Sequence, residues 1–226
     1  MRVGLLTHTP DPECTVALAA RLCYSNSSIQ ALSEGLDAPK LITKLISMGH
    51  LSPLEHVAFT FGIEDVSRAL LAQITRHRIA SFSVQSQRYV DLAQFSYVVP
   101  STIENLGQTY VDRFRSQMCQ IADWYKEWGT LLAEHGYSKE EALQDARYVL
   151  PNACTTKVIL TMNARELLHF FELRCCSRAQ WEIRDLAWTM LDLVLPIARS
   201  IFSQAGPPCV RGHCPEGSLS CGRPSR

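Results

Sequence analysis

The stretch DVSRALLAQITRHRIASFSVQSQRYV, residues 65–90, changes its hydrophobic period halfway along. Its first half places Val66, Leu70 and Ile74 on one face of a helix, because residues three or four apart are neighbours on a helix surface. From Ser81 onwards small hydroxyl residues alternate with apolar ones, which is typical of an extended strand. A helix that leads into a strand in this way predicts a protein that combines both kinds of element.

The same stretch concentrates cations and hydrogen-bonding groups at the junction of helix and strand. Gln73 and Arg76 share a helical face, and a turn beyond that helix would bring Arg76, Arg78, Ser86 and Arg88 to a common pocket. Arginine suits phosphate because its planar guanidinium donates two parallel, charge-assisted hydrogen bonds. The alternative is a solvated helix C-terminus, where cations meet the negative end of the helix dipole. The interleaved serine and glutamine residues favour a site for a phosphorylated ligand.

Towards the N-terminus the patterns predict two strands and two helices. RVGLLTHTP predicts a short opening strand, and VAFTFGIE predicts a second one after the polar turn HLSPLEH. DPECTVALAARLCYS has helical spacing with Pro12 near its start, and APKLITKLISMGH predicts a helix that Gly49 ends.

Towards the C-terminus the patterns are helical. Residues 102–135 predict a long helix that Gly136 closes, with apolar residues recurring every three or four positions: Tyr110, Phe114, Ile121, Trp124, Trp128 and Leu131. SKEEALQDARYVLP begins with a capping box, Ser138 with Glu141, and stops at Pro151.

Two further helices follow near the C-terminus. Asn163 is the expected N-cap of the first, with Glu166 at its third position. Ser177 is the expected N-cap of the second, with Gln180 at its third position, and Pro196 is expected to kink it. Its apolar face comprises Trp181, Ile183, Leu186, Met190 and Val194. Taken together, the patterns predict a helix-rich α+β single domain with long core helices and a small, mostly antiparallel sheet from the first hundred residues.

Composition narrows the class of protein. The chain has 226 residues, 46% hydrophobic and 19% charged, with 22 basic and 22 acidic side chains. Neutral net charge argues against a protein that coats nucleic acid, because such binding depends on a broad cationic surface. The N-terminal sequence lacks the pattern of a signal peptide, and no apolar run approaches the roughly 18 residues of a membrane span. We therefore expect a cytoplasmic protein without nucleic-acid or membrane partners.

The nine cysteines are many for such a chain. An odd total without a signal peptide favours reduced thiols over a disulfide framework. Cys209, Cys214 and Cys221 lie with His213 in a Gly/Pro-rich tail, which we set apart as residues 204–226 from a main domain of residues 1–203. A zinc site is conceivable there, but the spacing lacks the usual pair of cysteines two residues apart. We expect a reduced tail and no metal.

Two other arginines lie in apolar helical surroundings. Arg147 precedes VLP, and Arg174 ends ARELLHFFELR. Such an arginine either extends to solvent or pairs with a buried anion, and Glu172 or Glu182 could be that partner of Arg174. The chain has no Gly-x-Ser-x-Gly elbow, no Walker motif and no Gly-x-Gly-x-x-Gly. Residue patterns alone thus indicate a site for a phosphorylated ligand without identifying a reaction.

Four segments in order resemble the flavin-dependent thymidylate synthases. RHRIASFSVQS, which is Arg-His-Arg, seven residues and Ser, resembles the signature of that family, and QRYV continues the likeness. GHLSPLEHVAFTF resembles its upstream segment, while ARYVLP and MNARELLHFFELRCCSRAQWEIRDLA resemble its later ones. The resemblance covers residues 1–203 and implies a homotetramer whose active sites combine several subunits. It also implies methylation of dUMP to dTMP, with methylenetetrahydrofolate as carbon donor, NADPH as reductant and FAD as hydride relay.

The resemblance also assigns residues by matching position. Arg174 and His50 are the implied catalytic residues, Arg174 by favouring ionised uracil. The dUMP-binding positions are Gln73, Ile74, Thr75, Arg76, Val84, Gln85, Ser86, Gln87, Arg88, Arg147 and Arg174. The FAD-binding positions are Ser52, Glu55, Arg76, His77, Arg78, Asn163, Ala164, Arg165 and His169. The family requires no protein nucleophile, because the flavin carries the difficult chemistry.

The signature departs from the family pattern at one flavin contact. Many members have an acidic residue or glutamine two positions before the signature serine, where this chain has Val84. Either Gln85 or backbone groups of the segment then make that contact.

Two rival functions remain for the basic stretch. One is an RNA-binding protein, which the neutral charge and the lack of interleaved aromatic residues disfavour. The other is a structural helical oligomer, which would leave the arginines without a role.

Overall fold

Local sequence signals begin and end most of the elements in the N-terminal half. In the computed structural model, which describes residues 1–222, Pro12 occupies the first turn of a helix and Gly49 follows another with φ 72°. The elements are β1 (Arg2–His8), α1 (Pro12–Leu22), α2 (Ala38–Ser47), β2 (Ala58–Ser67), α3 (Arg68–Ile74) and β3 (Ala80–Val84). The predicted opening strand, both helices and the second strand are confirmed.

The second half is mainly helical, as predicted. It contains α4 (Ser101–Glu104), α5 (Gln108–Glu134), α6 (Lys139–Ala146), β4 (Thr155–Asn163), α7 (Ala164–Arg174), α8 (Trp181–Val194) and α9 (Arg199–Phe202). The capping box of α6 forms as expected: the hydroxyl of Ser138 accepts from the backbone N–H of Glu141, whose carboxylate accepts from the N–H of Ser138. Asn163 likewise caps α7, at 2.8 Å from the N–H of Glu166.

The four strands form one sheet in the order β1-β2-β4-β3. Strands β1 and β2 run antiparallel, because Thr9 bonds to Ala58 at one end while Arg2 bonds to Asp65 at the other. Along β2 and β4, Thr60 lies opposite Thr161 and Glu64 opposite Lys157, so this pair is antiparallel as well. The α+β class and the small antiparallel sheet are therefore confirmed.

The chain divides into two compact units. The first unit comprises Met1–Arg2, Ile63–Gln73 and Ser83–Val158. Within it α5 packs on α6, where Tyr125, Leu143 and Ala146 are buried together. The phenol oxygen of Tyr125 accepts a hydrogen bond from the backbone N–H of Leu92, which ties the loop before α4 to this core. Burial raises the pKa of Tyr125.

The second unit comprises Val3–Gly62, Ile74–Phe82 and the described residues from Ile159 onwards. Its core is aromatic: Phe202 makes edge-to-face contacts with Phe59 and Phe171, with ring centroids 5.5 and 6.0 Å apart. Helix α8 turns its predicted apolar face inwards, and Ile183, Leu186 and other residues of that face are fully buried. This core packs against α7, the helix that contributes several residues of the candidate site.

Three local expectations were wrong. Residues 65–67 continue β2 instead of opening α3, and Asp65 takes a positive φ of 59° just before the helix begins. The cap of α8 is Gln180, whose side chain accepts from two backbone N–H groups, so Ser177 lies outside the helix. Pro196 does not kink α8, because the helix already ends at Val194. Strand β4 was not predicted, since the strands were expected to be concentrated in the first hundred residues.

The long predicted helix forms, but its apolar stripe does not face a core. Tyr110, Trp124, Trp128 and Leu131 are 40–52% exposed, and we call these four residues the α5 apolar face. The residues of α5 that are buried in the first unit are Val111, Met118 and Tyr125, which repeat every seven positions on an adjacent face. The periodicity thus predicted the helix correctly, whereas the expectation that it is a core helix holds only for this second face.

The described part of the predicted tail belongs to the second unit and contacts the rest of that unit through ion pairs. Arg211 lies 3.7 Å from Glu172 of α7, and Glu216 pairs with Arg178. The last four residues of the tail, 223–226, lie outside the described residues. All nine cysteines lie within residues 1–222, and the same residues contain no group of three or more metal-ligating side chains. Nor does any described helix have the length and apolar character of a membrane span.

Replacing Asp37 by alanine is expected to destabilise the protein by about 1 kcal/mol. Its carboxylate accepts from the backbone N–H of Lys40, 3.1 Å away, and so satisfies one of the free donors at the start of α2. Urea denaturation measures the change. Glu34→Ala is the matched control, since it removes an exposed carboxylate from the same loop without a cap; an equal effect of both substitutions would contradict the capping role.

Candidate functional site

A hydrogen-bonded chain of three side chains lies at the centre of the second unit. His77 follows the end of α3 and is only 5% exposed. Its Nδ1 atom lies 2.9 Å from Oε1 of Glu166, and Nε of Arg174 donates to its Nε2 atom over 3.2 Å. The ring packs edge-on against Phe170, with centroids 5.0 Å apart. Both ring nitrogens are therefore engaged inside the protein, which leaves the backbone of His77 for any ligand contact.

These contacts determine the tautomer of His77. Arginine has only donors, so Nε2 must be the acceptor and the proton must reside on Nδ1, where it is donated to Glu166. Burial lowers the pKa of His77, and the charge of Arg174 lowers it too, while the hydrogen bond and charge of Glu166 raise it. The net shift is downward, so the neutral ring is the stable form at neutral pH.

Arg174, at one end of this chain, and the neighbouring Arg76 have no acidic partner among residues 1–222. Burial lowers the pKa of Arg174, and the nearby charge of Arg76 lowers it further. Among the described residues neither arginine forms an ion pair; Glu172, one of the two acidic partners considered from the sequence, pairs with Arg211 instead. Two like charges held close together without a counter-ion favour binding of an anion at this point.

A cavity of about 420 Å³ in the same unit is lined by several predicted positions. The predicted flavin positions that line it are Glu55, Asn163, Arg165 and His169. Glu55 and Arg165 form an ion pair there. The volume falls in the range of 300–1,000 Å³ that is usual for small-molecule sites. The unit thus brings four of the predicted positions to a single cavity.

The residues that line this cavity do not include the other predicted positions of the second unit. Arg78 is exposed, as are Ser52 and His50 in and before the turn Ser52–His56. Ala164 is fully buried, so only its backbone can meet a ligand. Ile74 is buried as well, whereas Thr75 is exposed.

The first unit contains the remaining nucleotide positions. The backbone N–H of Gln85 donates to Lys157, and its carbonyl accepts from Nη2 of Arg68 at 2.9 Å. Arg88 forms an ion pair with Glu140 at 2.6 Å. Val84, Ser86 and Gln87 are half-buried on the same segment. The pocket predicted to join Arg76 and Arg78 with Ser86 and Arg88 draws on both units, and it stays a prediction.

Arg147 lies in the first unit near another arginine. Its Nε donates to the carbonyl of Gln144, while its charge lowers the pKa of Arg68, which burial lowers more strongly. The Nε atom of Arg68 is buried and has no hydrogen-bond partner within residues 1–222. Gln73 uses its amide N–H₂ to bond the carbonyl of Ala69. A second pair of arginines without a described acidic partner thus lies near the segment of Gln85.

Sequence reasoning missed two residues of these clusters, Arg68 and Glu166. Arg68 lies only eight residues before Arg76 and continues the run of arginines, which was the available signal. Glu166 was expected to complete a capping box with Asn163. Its side chain instead bonds His77, which lies 89 positions away in the chain, and no local pattern predicts such a contact.

Comparison with known proteins agrees with the fold. The family model described as thymidylate synthase complementing protein, Thy1, matches residues 4–198. A flavin-dependent thymidylate synthase of Geobacter sulfurreducens is 52% identical over 99% of this chain and 94% of its own length. That of Clostridium tetani is 47% identical over 99% of this chain and 94% of its own.

A solved structure with a similar fold carries the same family name. It is the flavin-dependent thymidylate synthase ThyX from Helicobacter pylori complexed with FAD and dUMP, and it is similar with a TM-score of 0.67 and 27% identity. The alignment covers 91% of this chain and all of the other. Fold and site define a helix-rich α+β protein with two pairs of neighbouring arginines. The chain belongs to the flavin-dependent thymidylate synthase family.

Proposed function

We propose that the protein converts dUMP to dTMP, with methylenetetrahydrofolate as carbon donor, NADPH as reductant and FAD as cofactor. The observation that carries this proposal is the pair Arg76 and Arg174, two neighbouring cations without a described acidic partner. They lie in the same unit as a cavity lined by Asn163, Arg165 and His169. A nucleotide monophosphate supplies the missing negative charge, and family membership identifies which nucleotide.

The nucleotide is proposed to bind mainly through arginine side chains. Arg76, Arg88 and Arg147 are the cations available for its phosphate, because a guanidinium matches the spacing of phosphate oxygens. Arg174 is proposed to face the uracil and to favour its ionised form, as a fixed cation beside a developing anion. The other proposed contacts are Gln73, Ile74, Thr75, Val84, Gln85, Ser86 and Gln87.

The residues of the second unit fit a flavin dinucleotide. An amide at Asn163, a cation at Arg165 and an imidazole at His169 line one cavity, and these are groups that bond ring edges and pyrophosphate. FAD, when bound, supplies the hydride chemistry. The other proposed contacts are Ser52, Glu55, Arg76, His77, Arg78 and Ala164, with His50 nearby as a catalytic residue. His77 is proposed to contribute its backbone, since its ring is buried.

Gln85 is proposed to replace the polar residue that Val84 lacks. The backbone N–H of Gln85 already donates to Lys157, so the side-chain amide is the donor left on this residue for a ligand. The cysteines need no catalytic role in this scheme. A reducing, cytoplasmic location is proposed, because an odd total of nine cysteines favours reduced thiols over a disulfide framework.

The protein is further proposed to act as a homotetramer. The α5 apolar face exposes two tryptophans, a tyrosine and a leucine along one side of a 27-residue helix. Large aromatic side chains are enriched at protein interfaces, and a second copy of the chain would bury them. Active sites assembled from several subunits would then combine nucleotide and flavin positions.

The purified protein is expected to be yellow, with the absorbance of bound flavin, or to become so when FAD is added. Titration of dUMP should shift the flavin band, because the two ligands are proposed to lie next to each other. Chromatographic analysis should detect dTMP when dUMP, methylenetetrahydrofolate and NADPH are all present. A colourless protein that refuses FAD would contradict the proposal. A control that omits methylenetetrahydrofolate should yield no dTMP.

A further inference from the structure

Glu166 is a buried carboxylate to which the proposed reaction gives no role. It is 8% exposed and lies in the first turn of α7. A buried charge is costly unless it is paired or hydrogen-bonded, and the carboxylate of Glu166 accepts from Nδ1 of His77, itself only 5% exposed. The dipole at the helix start contributes to its stability but does not explain why its side chain points at a histidine.

The geometry of α7 explains the arrangement. Glu166, Phe170 and Arg174 are spaced by four residues and therefore lie along one face of the helix. Glu166 and Arg174 are separated by eight residues, about 12 Å of helix rise, which is too far for a direct ion pair. His77 spans the gap: its ring contacts Phe170, and its two nitrogens reach the carboxylate at one end and the guanidinium at the other.

The hydrogen bonds in this chain have a fixed direction. Arg174 donates through Nε, His77 accepts at Nε2 and donates from Nδ1, and Glu166 accepts. Within residues 1–222 the hydrogen bond of the Arg174 side chain is made by Nε, so its two amino groups remain available for a ligand. Fixing one side of a guanidinium in this way restricts the direction of the other side, which is what a preorganised cation requires.

We propose that Glu166 is a positioning residue which, through His77, holds the guanidinium of Arg174 in the orientation that the nucleotide needs. The inference rests on the proposed function, because it takes Arg174 as a contact of the nucleotide. In metalloenzymes, residues that orient a ligating group from behind typically change affinity or activity by 10–100-fold when removed. A loss of about that size is expected here.

Protonation of His77 should break the chain. A protonated ring places an N–H group opposite the N–H of Arg174, and the two positive charges repel. The charged groups that face His77 are Glu166, His169 and Arg174, all from α7. Activity should therefore fall as the pH drops through the pKa of His77. The negative charge of Glu166 raises the pKa of His77. Removing that charge should lower this pKa, so the acid limb of the pH profile, where activity is lost, should move to lower pH.

The test compares Glu166→Leu with Glu166→Gln in the full-length, flavin-loaded protein. Glu166→Leu is expected to lower kcat/KM for dUMP by about 10–100-fold. Glu166→Gln should remain within a few-fold of the unchanged protein at neutral pH, because an amide oxygen can still accept from Nδ1, and its acid limb should lie at lower pH. Asp185→Asn, which removes an exposed carboxylate from α8, is the charge control and should change neither quantity.

A double-mutant cycle shows whether Glu166 acts through Arg174. In an Arg174→Ala background, Glu166→Leu should cause no further loss in kcat/KM or, if turnover is too low, in the Kd for dUMP by calorimetry. The inference would be overturned if Glu166→Leu caused an equal loss with and without Arg174. It would also be overturned if Glu166→Gln did not shift the acid limb of the pH profile. A protein that neither binds nor converts dUMP before any substitution would instead refute the proposed function, and the inference with it.

Discussion

Replacing Arg174 by alanine is expected to lower the turnover of dUMP by about 10²–10³-fold while the protein keeps its flavin. The side chain is half-buried, is held by His77 and lies near the charge of Arg76. A cation fixed in this way stabilises negative charge on the uracil without any reorganisation of solvent. Because Arg174 does not line the cavity of Asn163 and Arg165, flavin binding should not depend on it.

The measurement combines a spectrum with a rate. Flavin content is read from the visible absorbance, and dTMP formation is followed at saturating dUMP. Arg178→Ala is the matched control, since Arg178 lies four residues further along, is exposed and pairs with Glu216 of the tail. Arg174→Lys should restore little activity, because an ammonium group cannot bond His77 and a planar ring together as a guanidinium does. Unchanged turnover in Arg174→Ala would refute the proposed catalytic role.

The elements that the sequence predicted well are those with a local physical cause. Ser138 and Asn163 begin helices because their side chains accept from backbone N–H groups within three residues, so the signal lies entirely in neighbouring residues. The alternation in residues 80–84 is equally local and appears as β3, with Ser81 and Ser83 exposed. Periodicity did not predict the reaction or its cofactor. Those predictions came from the resemblance to a known family.

The missed features depend on tertiary contacts. Strand β4 alternates between buried and more exposed residues, yet the segment between Pro151 and Asn163 was assigned no element from the sequence pattern. Gln180 replaces Ser177 as a cap because the chain between them turns before α8 begins. The hydrogen bond between Glu166 and His77 joins distant segments of the chain. Only the folded structure therefore reveals that the side chain of Glu166 bonds His77 and not the backbone at the start of its own helix.

Introducing glutamate at both Trp124 and Trp128 is expected to dissociate the assembly and to abolish most dTMP formation. A tryptophan contributes about 150–250 Å² of surface. Both side chains are still 46–48% exposed in the isolated chain. Burying the remainder stabilises association by roughly 2–3 kcal/mol per tryptophan, and buried carboxylates would add a penalty. Association should therefore weaken by at least about 10³-fold, since each 1.4 kcal/mol corresponds to a factor of ten.

Sedimentation velocity and activity should change together in this variant, because active sites that combine several subunits cannot form in a monomer. Thr130→Glu is the matched control: it introduces the same charge at an exposed position of α5 that lies off the α5 apolar face. Circular dichroism establishes that the helix itself is intact in both variants. If the double variant sedimented like the unchanged protein, the α5 apolar face would not be the contact between subunits. If the double variant dissociated yet retained full turnover, one chain alone would contain a complete active site. The proposed nucleotide and flavin positions would then have to come together within that single chain.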